Sequence, residues 1–139
     1  MDSHISLRGV LARALVVAVV AVGAIRLVGT EYLNTDSGDG ALAVALTQGH
    51  PARAPSLLRR YGCSGCHTIS ALPGAAGKVA PSLDGLRERV YIAGHLRNTA
   101  DNLQRWIREP QTLSPGSAMP DTGISADEAR DVAAFLYAH

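Results

Sequence analysis

The stretch YGCSGCHTIS, residues 61–70, holds the only two cysteines of the chain, three positions apart, with a histidine directly behind the second. Few chemistries want two thiols and an imidazole this close together, and each demands different surroundings. A thioredoxin-like dithiol sits at the start of a helix that follows a buried strand. Here the preceding residues, APSLLRRY at 54–61, set Leu57, Leu58 and Tyr61 on one side of an amphipathic helix instead. Structural zinc needs four ligands, and His50, His95 and His139 are scattered without metal-ligand spacing.

The third possibility is covalent haem, which the C-x-x-C-H spacing names directly. Two thiols add across two vinyl groups, and the next residue then sits under the iron. Cys63 and Cys66 become the thioethers and His67 the proximal ligand. Composition agrees with a prosthetic group in the interior. The chain has 139 residues but only 4 Tyr, 1 Trp and 1 Phe, a thin supply of rings for a core. At this length it has room for one domain and an appendage. About 90 residues make a marginal core by area alone, and a bound macrocycle adds a large apolar body to it. The net charge of +1 provides no basic stripe for nucleic acid.

A haem held on one side by histidine asks for a ligand on the other. Apart from Met1 there is one methionine, Met119, in the loop LSPGSAMPDTG built by Pro115, Gly116 and Pro120. Methionine most often fills gaps in a core, yet these surroundings are turn residues rather than a helix face. A thioether opposite histidine favours reduced iron and raises the potential, which suits electron transfer. The rival sixth ligand is His95, in YIAGHLRN.

Taken in order, YGCSGCH, APSLDGL, NLQRWIREP, PGSAMP and the closing ARDVAAFLYAH resemble a class I cytochrome c over roughly residues 50–139. The wording of YIAGHLRNTADNLQRWIREPQ is similar to small haem domains that accompany bacterial terminal oxidases. The resemblance implies one covalent haem c. It implies that the Pro81 carbonyl accepts a hydrogen bond from the His67 ring, fixing it and making it a better donor. It assigns the Trp106 indole N–H to a haem propionate, a role compatible with the apolar helical face of Leu103, Trp106 and Ile107. Arg89 and Tyr91 are further propionate candidates. One position departs from the pattern: where the family carries a glycine for a close crossing with the last helix, this chain has Ala54 followed by Pro55.

The expected fold is all-α. Helices are expected on 54–61, from about Thr99 to Glu109 with Pro110 as the stop, and over the C-terminus, where Ser125 and Glu128 form a capping box. No strand pattern of useful length appears. The domain, residues 50–139, is expected to follow a tether at 30–49 and an N-terminal segment at 1–29.

That segment contains VLARALVVAVVAVGAIRLV at 10–28, apolar except for Arg13 and Arg26. Nineteen helical residues at about 1.5 Å each nearly match a hydrocarbon thickness of about 30 Å, with the arginines near the ends, where their stems can snorkel. The competing reading is a signal peptide cut after Ala24. Arg8 and Arg13 precede the span and Glu31, Asp36 and Asp39 follow it, which keeps the N-terminus cytoplasmic. The family resemblance likewise implies haem attachment outside the bacterial inner membrane, so the haem domain is expected in the periplasm. The expected protein is thus a single-pass membrane-anchored electron carrier, free or as a subunit of a respiratory or photosynthetic complex. Its partners would be membrane lipid, a redox donor and an acceptor such as a terminal oxidase, with no bond-breaking catalysis of its own. The alternative class is a haem enzyme or gas sensor with an open sixth position.

Overall fold

The computed structural model describes the backbone of residues 7–139 and the side chains of 13–23 and 38–139. The chain divides into two units, Met1–Ser37 and Gly38–His139. Helix α1, Leu7–Thr47, supplies the described part of the first unit and opens the second. In the first unit the described side chains, 13–23, are all exposed, including Leu15, Val16, Val17, Val19, Val20 and Val22. Among the described residues no helix is long and apolar enough to cross a membrane. The ends of the expected span, residues 10–12 and 24–28, lie outside the described side chains.

The second unit begins earlier than the sequence suggested. Residues 38–47, expected to be the later part of a tether, are helical, and Ala43 and Thr47 are buried. The alternation of small and large apolar residues in ALAVAL explains the difference. At helical spacing Ala43 and Thr47 share one face, small enough to pack closely, while Leu42, Val44 and Leu46 stay exposed. Polar contacts fix this helix as well. Asp39 pairs with Arg87 at 2.9 Å, and the Gln104 amide donates to the Thr47 carbonyl at 3.2 Å.

A 3-10 turn, Pro51–Arg53, leads into α2, Ala54–Arg60, where Pro55 occupies a first-turn position that tolerates the missing N–H. The CSGC residues form the short helix α3, Cys63–Cys66, entered through Gly62 at φ 73°. A long loop then runs to a second 3-10 turn, Leu86–Glu88. Two strands of two residues each follow, β1 Tyr91–Ile92 and β2 Leu96–Arg97, paired antiparallel with Tyr91 opposite Arg97. They are too short to carry an alternating pattern, which is why the sequence reading contained no strand.

Helix α4, Ala100–Arg108, is capped by the Thr99 hydroxyl, which accepts from the Asn102 N–H at 3.2 Å. The expected stop at Pro110 holds, although Pro110 also opens the four-residue helix α5, Pro110–Leu113. Helix α6, Ala126–Ala138, starts in the expected capping box, with Ser125 and Glu128 each satisfying an amide of the other. Apart from the strand pair and an isolated antiparallel bridge between Thr68 and Ala76, the regular structure of the unit is helical. Its core gathers Leu57 and Leu58 of α2, Leu103 and Ile107 of α4, and Val132, Phe135 and Leu136 of α6.

A close crossing with the last helix is made outside α2, by Gly49 in the segment between α1 and the 3-10 turn. A Cβ at Gly49 would fall on the Arg130 carbonyl and lie 2.8 Å from the Asp131 nitrogen. Ala54, also fully buried, packs in the same core.

Candidate haem site

Helix α3 is a single turn, so Cys63 and Cys66 lie one turn apart, with no disulfide between them. Cys63 is half-buried and Cys66 exposed; burial pushes the Cys63 thiol pKa up. His67 follows in extended backbone, its N–H bonded to the Cys63 carbonyl at 3.0 Å. The ring Nδ1 lies 2.6 Å from the Pro81 carbonyl oxygen. A carbonyl only accepts, so Nδ1 carries the proton and Nε2 keeps its lone pair for a metal. The motif and its supporting carbonyl come from opposite ends of one loop.

That loop is built on the cysteine turn. The Cys66 carbonyl accepts from the Val79 and Ala80 N–H groups at 3.1 and 3.0 Å, and the Thr68 hydroxyl donates to the Gly77 carbonyl at 2.8 Å. Gly77 lies so close beneath the turn that a Cβ there would be 2.6 Å from the Cys66 carbonyl carbon and 2.7 Å from Gly65 backbone atoms. Asp84 closes the loop, accepting from the Ser70 N–H at 2.7 Å and from the Ser70 and Ser82 hydroxyls at 2.8 and 2.9 Å. The two bonds from Ser70, and then the one from Ser82, hold its carboxyl below the usual range.

The expected propionate partners occupy different settings. Arg89 donates through Nη2 to the Ser82 and Asp84 carbonyls at 2.6 and 3.0 Å, bracing the Pro81 loop. Trp106 is half-buried at the edge of the core, and the ring of His95 meets it edge-on at 6.2 Å. His95 itself is exposed, with Nδ1 2.9 Å from the Ala93 carbonyl. Tyr91 is half exposed on β1. Sequence reasoning missed Asn98, which joins these pieces. Its amide donates to the Leu86 and Arg89 carbonyls at 2.7 and 2.8 Å and accepts from the Tyr137 hydroxyl at 2.6 Å. Burial pushes the Tyr137 phenol up to about 12.

Met119 is half-buried in the loop between α5 and α6. Its carbonyl accepts from the Gln111 side chain at 2.7 Å, and its N–H donates to the Ser117 hydroxyl at 3.2 Å. Gln111 also went unnoticed in the sequence, since nothing local marks a glutamine as the scaffold of a loop that comes after it.

Among the described residues no group of three or more His, Cys, Asp or Glu side chains could hold a metal ion, so the zinc alternative has no donor set. A haem fits what is present: two thiols one turn apart, an imidazole turned by a carbonyl and a thioether on a constrained loop.

These features define a c-type haem domain. The cytochrome c family model matches residues 52–138, and the chain belongs to that family. Its cofactor is covalently attached haem c, and electron transfer is the activity that membership supports. Among curated proteins, the chain is similar to cytochrome c oxidase subunit 2 of Alkalihalophilus pseudofirmus, 45% identical over 58 residues, which is 42% of this chain and 16% of that one. It also resembles the subunit 2 of Bacillus sp. strain PS3, 37% identical over 62 residues, 43% of this chain and 17% of the relative. The subunit 2 of Bacillus subtilis is 25% identical over 83 residues, 58% of this chain and 23% of the relative. The matched stretch is thus a minor part of each of these longer chains.

Proposed function

We propose that this protein is a membrane-anchored periplasmic monohaem cytochrome c that passes single electrons between redox partners, with a terminal oxidase or a similar membrane complex as the acceptor. Bound haem supplies a one-electron Fe(II)/Fe(III) couple. Cys63 and Cys66 would hold the group, and His67, its ring set by Pro81, and Met119 would ligate its iron. Arg89, Trp106 and Tyr91 are the candidates to meet the propionates. The observation that carries the reading is the 2.6 Å bond between the His67 ring and the Pro81 carbonyl. It orients an imidazole that has no other assigned task.

The exposed apolar side chains of residues 14–22 support the anchor, since lipid would cover them. The likeness to oxidase subunit 2 supports the choice of complex. Attachment as a subunit, rather than free swinging on a tether, is favoured by the helix at 38–47, whose outer residues Leu42, Val44 and Leu46 are apolar and exposed.

The test uses membranes from cells making the full chain. Haem should stay in the membrane fraction after a high-salt wash and resist extraction into acidified organic solvent. The oxidised protein should show the weak far-red band of a thioether on ferric haem. Release by salt, or a mature chain beginning at Ile25, would refute the anchor. Ready binding of carbon monoxide by the reduced wild type would favour the enzyme or sensor class instead.

A further inference from the structure

Gln111 stands at the centre of the loop that carries Met119. It lies in α5, ahead of the loop, and its side chain makes three contacts with it. Nε2 donates to the Ser117 carbonyl and to the Met119 carbonyl, each at 2.7 Å, and Oε1 accepts from the Gly116 N–H at 3.2 Å. Its own backbone N–H donates to the Asp121 carboxylate at 3.3 Å, beyond the methionine. One residue therefore grips the loop on both sides of Met119 and at Met119 itself.

The chemistry of the amide suits this task. A primary amide offers two donors and an acceptor in one plane, and here all are used on backbone groups of a single four-residue segment, 116–119. Gly116 turns the chain at φ 80°, where other residues are strained, and Ser117 adds its bond to the Met119 N–H. Prolines at 115 and 120 restrict the ends. Without the Gln111 side chain the Ser117 and Met119 carbonyls lose their donor, and the loop keeps its short-range bonds and the one from the residue-111 N–H to Asp121.

We infer that Gln111 is the positioning residue for the sixth ligand, holding the Met119 backbone so that the thioether stays on the iron and the site stays closed. The inference rests on the reading of Met119 as a ligand. A neutral thioether would stay on the iron, in either oxidation state, only while its loop is held in place. The open fraction then sets how readily a small ligand binds, because apparent affinity scales with the population able to bind. Each amide hydrogen bond changes such a population severalfold, so losing both donors should raise the open fraction about 10- to 100-fold.

The experiment measures carbon monoxide uptake by the reduced full-length holoprotein in detergent, together with the far-red band of the oxidised form. Gln111→Leu should bind carbon monoxide about 10- to 100-fold faster than wild type, with a weakened band. Met119→Ala sets the upper limit. Thr99→Ala removes the cap of α4, away from the methionine loop, and should leave uptake unchanged, which separates positioning from general destabilisation. If Gln111→Leu does not accumulate, Gln111→Asn carries the same test, because it keeps the amide but lacks the reach. Uptake by the Gln111 variant equal to wild type, with Met119→Ala open, would overturn the inference and leave the Met119 reading intact. Wild type as open as Met119→Ala would remove the ligand reading, and this inference with it.

Discussion

Adding one methyl group at Gly49 should cost about as much as truncating a buried leucine or isoleucine side chain. A Cβ there would meet the Arg130 carbonyl and lie 2.8 Å from the Asp131 nitrogen. Both are helix backbone, held by the ladder of α6, so neither can rotate away as a side chain would. The chain must move off α6, at the roughly 1–3 kcal/mol typical of overpacking. Next in sequence, the His50 N–H donates to the Asp131 carboxylate at 2.7 Å, a charged hydrogen bond of about 1.5–3 kcal/mol. Some of that bond is lost with the shift. Against it stands a gain of about 0.5 kcal/mol from a less flexible unfolded chain. The net loss is about 2–4 kcal/mol. For a domain of this size that lowers Tm by about 8–32 °C, since each kcal/mol shifts it by about 4–8 °C. Gly40→Ala provides the control, because nothing lies within 4 Å of a Cβ there, and within α1 it should gain about 0.5–1 kcal/mol. The assay is thermal unfolding of the full-length holoprotein in detergent, followed by circular dichroism. A Gly49→Ala protein as stable as Gly40→Ala would show that the crossing is not close.

Gly77→Ala should lower the yield of covalent holoprotein and destabilise the rest by about 1–3 kcal/mol, because its Cβ would press on the Cys66 and Gly65 backbone; normal yield and Tm would contradict that packing. Asp84 and Glu128 both have lowered carboxyl pKa values, from the hydrogen bonds of Ser70 and Ser125 respectively. Their stabilisation is present above the unfolded carboxylate value of about 4 and lost as pH falls through the lower native one. Melting curves from pH 6 to 2 should therefore fall less steeply in Asp84→Asn, and an unchanged slope would exclude the contribution. Tyr137 has its phenol raised to about 12 by burial, so its neutral form stabilises the fold below pH ~10 and is lost as pH rises through 12. Tyr137→Phe should remove that alkaline step from unfolding curves, and its persistence would assign the step elsewhere.

The parts of the fold visible in the sequence were those with local signals. Ser125 and Glu128 announced α6, Thr99 and Pro110 bracketed α4, and the spacing of Leu57, Leu58 and Tyr61 announced α2. The link from His67 to Pro81 was foreseen through the family pattern rather than from physics, since nothing local says which carbonyl faces a ring fourteen residues away. What stayed hidden depends on tertiary contact. Residues 38–47 looked like a tether because Gly38, Asp39 and Gly40 are poor helix formers, and burial of Ala43 and Thr47 overrides that propensity. Gly49 gave no sign of its crossing, and the amides of Gln111 and Asn98 act on carbonyls that only the folded chain brings near.

Helix α6 supplies no ligand, yet the pieces that do are referred to it. Glu128, besides capping its own helix, accepts from the Tyr61 hydroxyl at 2.9 Å, just ahead of the CSGC turn. Asp131 is buried and accepts from the His50 N–H at the start of the domain core. Tyr137 holds Asn98, and through it the carbonyl of Arg89. Its apolar side, Val132, Phe135 and Leu136, packs in the core with α2 and α4. Glu128 and Asp131, three apart, share one face of the helix and Tyr137 lies on the other side, and each grasps a different segment. The haem-bearing turn, the N-terminal approach and the Arg89 loop are separated by tens of residues in sequence. They share one rigid element, so a displacement of α6 would disturb the histidine side of the site and the propionate candidates together, without touching a ligand.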